Sequence, residues 1–325
     1  MAPLLGVIGV GSVHVESVVL SGARLRKGKM ATRQMRAGGL VAGVAWLWLL
    51  GAMSALAQSP RVLISHHARG MYPGEAVLVR VSATPPLTEV RGAIFERTVR
   101  FYQVAETVWE GLVGIDLLVE TGDHRLELDI TTANGGVMER THVLRVEEKE
   151  YPTRHLSVAP RYVEPPPAVL ARITREAERQ PTLFATDTPE RLWEGYWLPP
   201  VPGQATSRFG SRSVFNGQPR NPHSGADFRA GVGTPVTAPN GGRVVLVDDT
   251  YFSGGSVILD HGWGMYSYFA HLSKKLVEEG DRVGRGQVIG HAGATGRVTG
   301  PHLHWTLRLS GARVDPLSVM EVVDK

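Results

Sequence analysis

From residue 203 to the end of the chain, short apolar runs alternate with glycines. Arg243-Val-Val-Leu-Val247, Ser256-Val-Ile-Leu259, Met265-Tyr-Ser-Tyr-Phe269, Val288-Ile289 and Leu303-His-Trp-Thr-Leu307 are each a few residues long, and a glycine separates nearly every pair. Runs this short, rich in β-branched and aromatic residues and closed by turn formers, read as strands. No helix beyond one or two turns is expected in this segment, and Ser273–Glu279 is its best candidate.

The rest of the chain extends the same reading. Ala76-Val-Leu-Val-Arg-Val-Ser82, Arg125-Leu-Glu-Leu-Asp-Ile130 and His142-Val-Leu-Arg-Val146 alternate with period two, and Pro73-Gly74 and Asn134-Gly135-Gly136 punctuate them. The pattern predicts a small β-sandwich over 58–150, serving to space, dock or cover whatever follows. Residues 151–202 read as a linker. Pro165-Pro-Pro167 opens it, and Val169, Leu170, Ile173 and Ala177 recur at helical spacing, which predicts one amphipathic helix of about four turns. Trp193, Tyr196 and Trp197 are read as packing the linker onto a domain surface, and Pro199-Pro200 with Pro202-Gly203 marks the boundary of the last domain, 203–325. The expected fold class is therefore mainly β, with a helical and proline-rich linker joining two β domains.

The N-terminus reads differently. Arg36, the apolar run Gly38–Met53 and Ser54-Ala-Leu-Ala57 form a basic region, an apolar region and a small-residue cleavage site. Residues 1–57 are expected to be a leader, with the true start at Met30 or Met35 and removal after Ala57. At about 16 residues the apolar run falls short of the roughly 20 needed to span a bilayer. Membrane contact is expected only through this leader, if it is retained. An exported protein, periplasmic or associated with the cell wall, follows from that reading.

Charge and cysteine content exclude several function classes. The formal net charge is +4, but residues 1–57 hold six basic residues and one acidic residue. Removing them from 35 and 31 leaves 29 basic and 30 acidic, so the body carries no electrostatic case for nucleic acid. The chain has no cysteine, which excludes a thiol nucleophile, a thiolate metal site and a lipid-modified N-terminal cysteine.

The chemistry-bearing residues cluster in the last third: His223-Ser-Gly-Ala-Asp227, His271 and His302-Leu-His304. In a strand, residues two apart share a face, so His302 and His304 stand side by side, suiting one ligand and one acid–base neighbour. His223 and Asp227, four apart, share a face in either helix or strand. Two imidazoles and a carboxylate suit Zn²⁺, and three protein ligands leave a fourth position for water, as in a catalytic site. His261 and His291 are read as structural, and His66, His67, His124 and His142 as ordinary strand or surface histidines.

Taken in order, these blocks resemble the LytM/lysostaphin-type zinc metalloendopeptidases, which cut peptide cross-links of peptidoglycan. The resemblance covers about 203–316. It rests on Ser207-Arg-Phe-Gly210, His223-Ser-Gly-Ala-Asp227, Gly233-Thr-Pro-Val236, Tyr268-Phe-Ala-His-Leu272, Gly280-Asp-Arg-Val283, Gly286-Gln-Val-Ile-Gly290, Gly293-Ala-Thr-Gly296 and Gly300-Pro-His-Leu-His304. It implies a glycine-rich antiparallel β domain with a long groove and one bound Zn²⁺. It implies His223, Asp227 and His304 as the metal ligands and His271 with His302 as the catalytic pair. The implied partners are peptidoglycan stem peptides, with a D-Ala–diaminopimelate bridge as the expected bond because nothing resembles an SH3-like wall-binding module. Arg208-Phe209-Gly210 would then lie near the groove or form a structural turn. Residues 58–200 are expected to restrain the site. A carrier-domain reading of Gly280–Gly290 fails, since no lysine occurs from 276 through 324 to carry a cofactor. The competing reading is a non-enzymatic wall-binding activator of another hydrolase, which relatives lacking ligands would exemplify.

Overall fold

The structure, a computed structural model, describes residues 61–207 and 209–323. The leader and its cleavage site lie outside the described residues, as does Arg208. Among the described residues no helix is long and apolar enough to cross a membrane.

Strands β1 (Arg61–Ala68), β2 (Ala76–Thr84), β3 (Leu87–Ile94), β4 (Arg97–Ala105), β5 (Val108–Gly114), β6 (Gly122–Thr132) and β7 (Val137–Val146) form an antiparallel sheet in the order β1-β2-β5-β4-β3-β6-β7. The period-two pattern is obeyed: in β6 Leu126, Leu128 and Ile130 are buried while Glu127 and Asp129 are exposed. The sheet folds round one core that includes Val79, Val113, Leu126, Ile130 and Leu144. Its two ends meet where His66 of β1 lies 2.8 Å from His142 of β7, a pairing that the sequence spacing did not suggest.

The linker holds more structure than its composition indicated. A short strand, β8 (Thr153–Leu156), precedes helix α1 (Pro167–Phe184). The expected helix is present, but none of its residues is buried. Leu183 and Phe184 at its C-terminal end pack against Tyr266 and its neighbours, and polar contacts hold the rest. Arg172 donates to the Asp249 carbonyl, Glu176 accepts from the Tyr251 N–H at 2.8 Å, and Arg179 pairs with Asp248 and Glu279 at 3.2 and 2.9 Å. Trp193 and Trp197 are 3% and 1% exposed and insert into the main core, whereas Tyr196 stays exposed beneath the Arg285 guanidinium.

The C-terminal half contains β9 (Ala205–Ser207), β10 (Arg212–Phe215), β11 (Gln218–Pro219), β12 (Ala226–Phe228), β13 (Pro235–Thr237), β14 (Gly242–Thr250), β15 (Gly254–Gly262), β16 (Met265–Lys275), β17 (Arg282–Val283), β18 (Val288–Ala292), β19 (Leu303–Leu309), β20 (Ala312–Val314) and α2 (Pro316–Val323). Its sheet runs β17-β14-β15-β16-β19-β12-β9. Every residue of β15 is buried, and its Val257 and Leu259 share a core with Phe269, Leu303, Trp305 and Leu307. Truncating a side chain as enclosed as Trp305 costs about 3–5 kcal/mol.

Ser273–Glu279, the best helix candidate of this segment, is not helical. Ser273–Lys275 instead complete β16, where Lys274 and Lys275 pair with His291 and Gly290 of β18. The helix of this half is α2, and its signal is local: Asp315 Oδ1 accepts the Leu317 N–H at 3.0 Å, and Pro316 occupies the first helical position.

The two halves share buried surface. Ala76, Leu78 and Leu112 belong to the same core cluster as Trp305. Asp116 accepts from Arg313 through both carboxylate oxygens, Arg69 bridges Glu75 and Asp315, and the Ala76 N–H donates to Ser318 Oγ.

Candidate metal centre

Strand pairing brings the polar clusters together. Asp227 on β12 is the register partner of His304 on β19, and His304 is in turn the partner of Ala270 on β16. Partners directly opposite in an antiparallel pair project to one face. His302, one residue before β19, points the same way as His304, while Leu303 between them is fully buried. The side-by-side placement expected of His302 and His304 is therefore present.

His223 arrives from a loop held by its backbone: its N–H donates to Ser211 and its carbonyl accepts from Gly210. The turn from 223 to 227 can approach β19 because of Gly225. A Cβ there would lie 2.6 Å from the Trp305 carbonyl and 2.8 Å from the His304 ring.

The resulting donor set is compact. His223 Nε2 lies 3.1 Å from Asp227 Oδ1 and 3.0 Å from His304 Nδ1, and His304 Nδ1 lies 2.8 Å from Asp227 Oδ1. Tetrahedral zinc with ligands at about 2.0–2.1 Å separates its donors by roughly 3.3 Å, so small outward movements suffice to admit the ion. Three lone-pair atoms this close together, two nitrogens and a carboxylate oxygen, fit a cation. The two imidazoles also hold the Asp227 carboxyl far below the usual carboxylate range, despite burial pushing the other way. Burial lowers His304.

Three of the imidazoles, His304, His271 and His302, are oriented by a partner behind the ring. His304 Nε2 reaches Thr306 Oγ1 at 2.9 Å, which leaves Nδ1 free to ligate if the ring donates to the hydroxyl. The sequence signal for Thr306 was available: it is two residues beyond His304 in the same strand, and so on the same face. His271 Nδ1 donates to the Thr295 carbonyl at 2.9 Å, and His302 Nδ1 donates to the Gly300 carbonyl at 2.8 Å. Carbonyls only accept, so both rings, when neutral, carry an unprotonated Nε2. Burial, with His304 and His302 nearby, pushes His271 down to about 3. The His271 and His302 ring centroids are 4.8 Å apart, and His302 Nε2 lies 3.9 Å from Asp227 Oδ1.

His271 has φ +65°, a left-handed conformation unusual for a residue with a Cβ. The register of β16 slips just past it, between Leu272 and Lys274, and its N–H donates to the Ser253 carbonyl instead of a strand neighbour. Bulges of this kind re-aim a side chain.

These groups line a cavity of about 220 Å³. Ser253, Ala270, Arg297 and Val298 also line it, together with Arg154, Leu156 and Val158. Arg154 and Leu156 lie on β8, which pairs in parallel with β10. A stretch of the linker thus borders the site.

The other histidines lie elsewhere. His261, fully buried, donates from Nδ1 to the Gly241 carbonyl and accepts from Ser267 at Nε2, while Ser267 Oγ also accepts from Trp305 Nε1. His291 is on β18 opposite Pro235, and His124 contacts the Glu120 carbonyl. Phe209 is buried against Gly74, and Gly210 packs on Tyr151, a structural role.

Comparison with known proteins agrees with this architecture. The model for peptidase family M23 matches residues 221–316. The crystal structure of a putative peptidase M23 from Pseudomonas aeruginosa superposes with a TM-score of 0.59 at 30% identity, covering 78% of this chain and 96% of that one. The chain belongs to peptidase family M23. Peptidoglycan DD-endopeptidase ShyA of Vibrio cholerae is 45% identical over 96 residues, and DD-carboxypeptidase/endopeptidase Mpg of Neisseria meningitidis is 42% identical over 97. Each match spans 30% of this chain and 22% of the relative.

Proposed function

We propose that the protein is a zinc-dependent endopeptidase that hydrolyses peptide cross-links of bacterial peptidoglycan outside the cytoplasm. One observation carries this reading: three donor atoms within 4.8 Å of one another, on residues that line a cavity shared with two further imidazoles. The names of the relatives, which are peptidoglycan endopeptidases, support the substrate class.

His223, Asp227 and His304 would hold the ion. When bound, zinc supplies a Lewis acid that polarises a peptide carbonyl and brings the pKa of water to about 7. The protein's own contribution is orientation and proton handling. His271 and His302 each donate from Nδ1 to a backbone carbonyl and so present an unprotonated Nε2 in position to take a proton, and burial keeps His271 neutral beforehand. Once protonated, either ring offers an N–H to the developing oxyanion or to the departing amine. Thr295, Gly300 and Thr306 fix the three rings, so little reorganisation remains for the reaction.

The complete donor set argues against a purely non-enzymatic wall binder. The D-Ala–diaminopimelate bridge is the bond proposed. Mass spectrometry of cross-linked muropeptides digested by the purified protein tests both points: monomers with a freed diaminopimelate amine are expected, and intact dimers would reject the reading.

A further inference from the structure

Arg297 lines the cavity beside the metal centre, no carboxylate among the described residues pairs with it, and Arg220 is near enough to act on its charge. The Arg297 guanidinium lies 4.9 Å from the Phe215 ring centroid and 4.7 Å from that of Phe252, and it lines the same cavity as His271 and His302. Its backbone N–H donates to the Phe252 carbonyl at 2.7 Å. Thr295, two residues earlier in this loop, provides the carbonyl that orients His271. The charged group is thus anchored to the frame that positions the catalytic face.

Neither arginine is satisfied as a structural arginine usually is. Arg313, Arg69 and Arg80 each pair with a carboxylate. Arg297 has its proton affinity lowered by burial and by Arg220, with no acid acting in the other direction. Arg220 spends one nitrogen on the Val163 carbonyl and the Gln218 amide oxygen, while its Nε is buried without a partner. A half-buried guanidinium that faces a cavity without a carboxylate partner is costly, and an incoming anion offsets that cost. A carboxylate matches the planar fork of a guanidinium in a way that a neutral amide does not.

We infer that Arg297, supported by Arg220, is a specificity-determining subsite that binds a free carboxylate of the cross-linked peptide, selecting acidic stems over neutral bridges. The inference rests on the proposed peptidase reading and adds the chemical class of substrate to it. The ring faces of Phe215 and Phe252 fix the guanidinium, so the anchored carboxylate sets where the chain crosses the donor triad. Interactions of this kind, remote from the scissile bond, position the substrate for reaction.

Two cross-linked muropeptide dimers, identical except that the stem carboxylates are free in one and amidated in the other, test this. Binding is measured calorimetrically to the zinc-loaded, full-length His271→Ala protein, so that affinity is read without turnover. The free-carboxylate dimer is expected to bind about 10-fold tighter or more. Adding Arg297→Gln should bring the ratio close to one. Arg220→Gln should reduce it, and Arg297→Lys should recover part of it. Equal affinities for the two dimers, or a ratio that Arg297→Gln leaves intact, overturn the subsite. Turnover by the wild-type protein is read separately. Preferential binding of the free acid with no cleavage of either dimer rejects the peptidase reading and leaves the carboxylate subsite standing.

Discussion

Asp227 and His304 face each other across two antiparallel strands, with Asp227 Oδ1 2.8 Å from His304 Nδ1, and this opposition defines the centre. Because the partners are fixed by backbone pairing, loss of the carboxylate should remove affinity without moving the imidazole. Asp227→Asn is expected to keep its melting profile as a metal-free protein but to lose zinc, measured by mass spectrometry of the native protein. Retained stoichiometric zinc would count against Asp227 as a ligand.

Thr306 stands one step behind the donor set. Thr306→Val preserves shape, and the site is 3% exposed, so the variant should fold. With the hydrogen bond to His304 Nε2 gone, zinc affinity should fall about 10–100-fold, read by competition with a chelator. Unchanged affinity would mean that the hydroxyl does not orient the ring.

The left-handed backbone of His271 makes a prediction that side-chain contacts alone do not. Both His271→Ala and His271→Gly should bind zinc and lose about 10²–10⁴-fold in turnover. The glycine variant should be the more stable of the two by about 1 kcal/mol in denaturant titrations, since only glycine enters φ +65° without penalty. An alanine variant of equal or greater stability would show that the conformation carries no strain.

His261 should set part of the acid stability. Burial lowers it from 6.5 to about 4, so the folded protein keeps the ring neutral while the unfolded chain protonates it below 6.5. Its contribution is complete above pH 6.5, is lost as pH falls towards 4, and amounts to about 3 kcal/mol. Measured between pH 7 and 4, wild type should lose more stability than His261→Gln. Parallel profiles would contradict the assignment.

Asp116 ties the two halves together through Arg313, which holds its carboxyl down at about 2 against the cost of burial. The sign is that of a depressed acid: stability present above pH 3.8 and lost as pH falls through 2. At neutral pH Asp116→Asn is expected to lower stability by about 1–3 kcal/mol. A melting temperature equal to that of wild type would show that the pair is dispensable for docking.

The sequence carried the chemistry of the site more fully than its geometry. His223, Asp227, His271, His302 and His304 were recognisable because ligand types and spacing survive without coordinates, and the alternation through His302, His304 and Thr306 follows from the strand period. The register that sets Asp227 opposite His304 depends on which strands pair, and no local pattern encodes that. The same holds for β8, since a parallel partner sixty residues away leaves no mark on Thr153–Leu156. Helix α2 has only Asp315-Pro316 as a local start signal, which its glycine-rich surroundings obscure. Trp193 and Trp197 read as surface packing because a linker composition hides how deeply two of its residues are buried. The unpaired state of Arg297 is likewise a property of its neighbours in space.

Turnover of a cross-linked muropeptide against zinc equivalents added back to metal-free protein tests the account most directly. Activity should rise in proportion to added zinc and level off at one equivalent per chain in wild type, with His304→Ala flat throughout. Full activity in the metal-free protein, or a His304→Ala protein that digests the substrate as well as wild type, would contradict it.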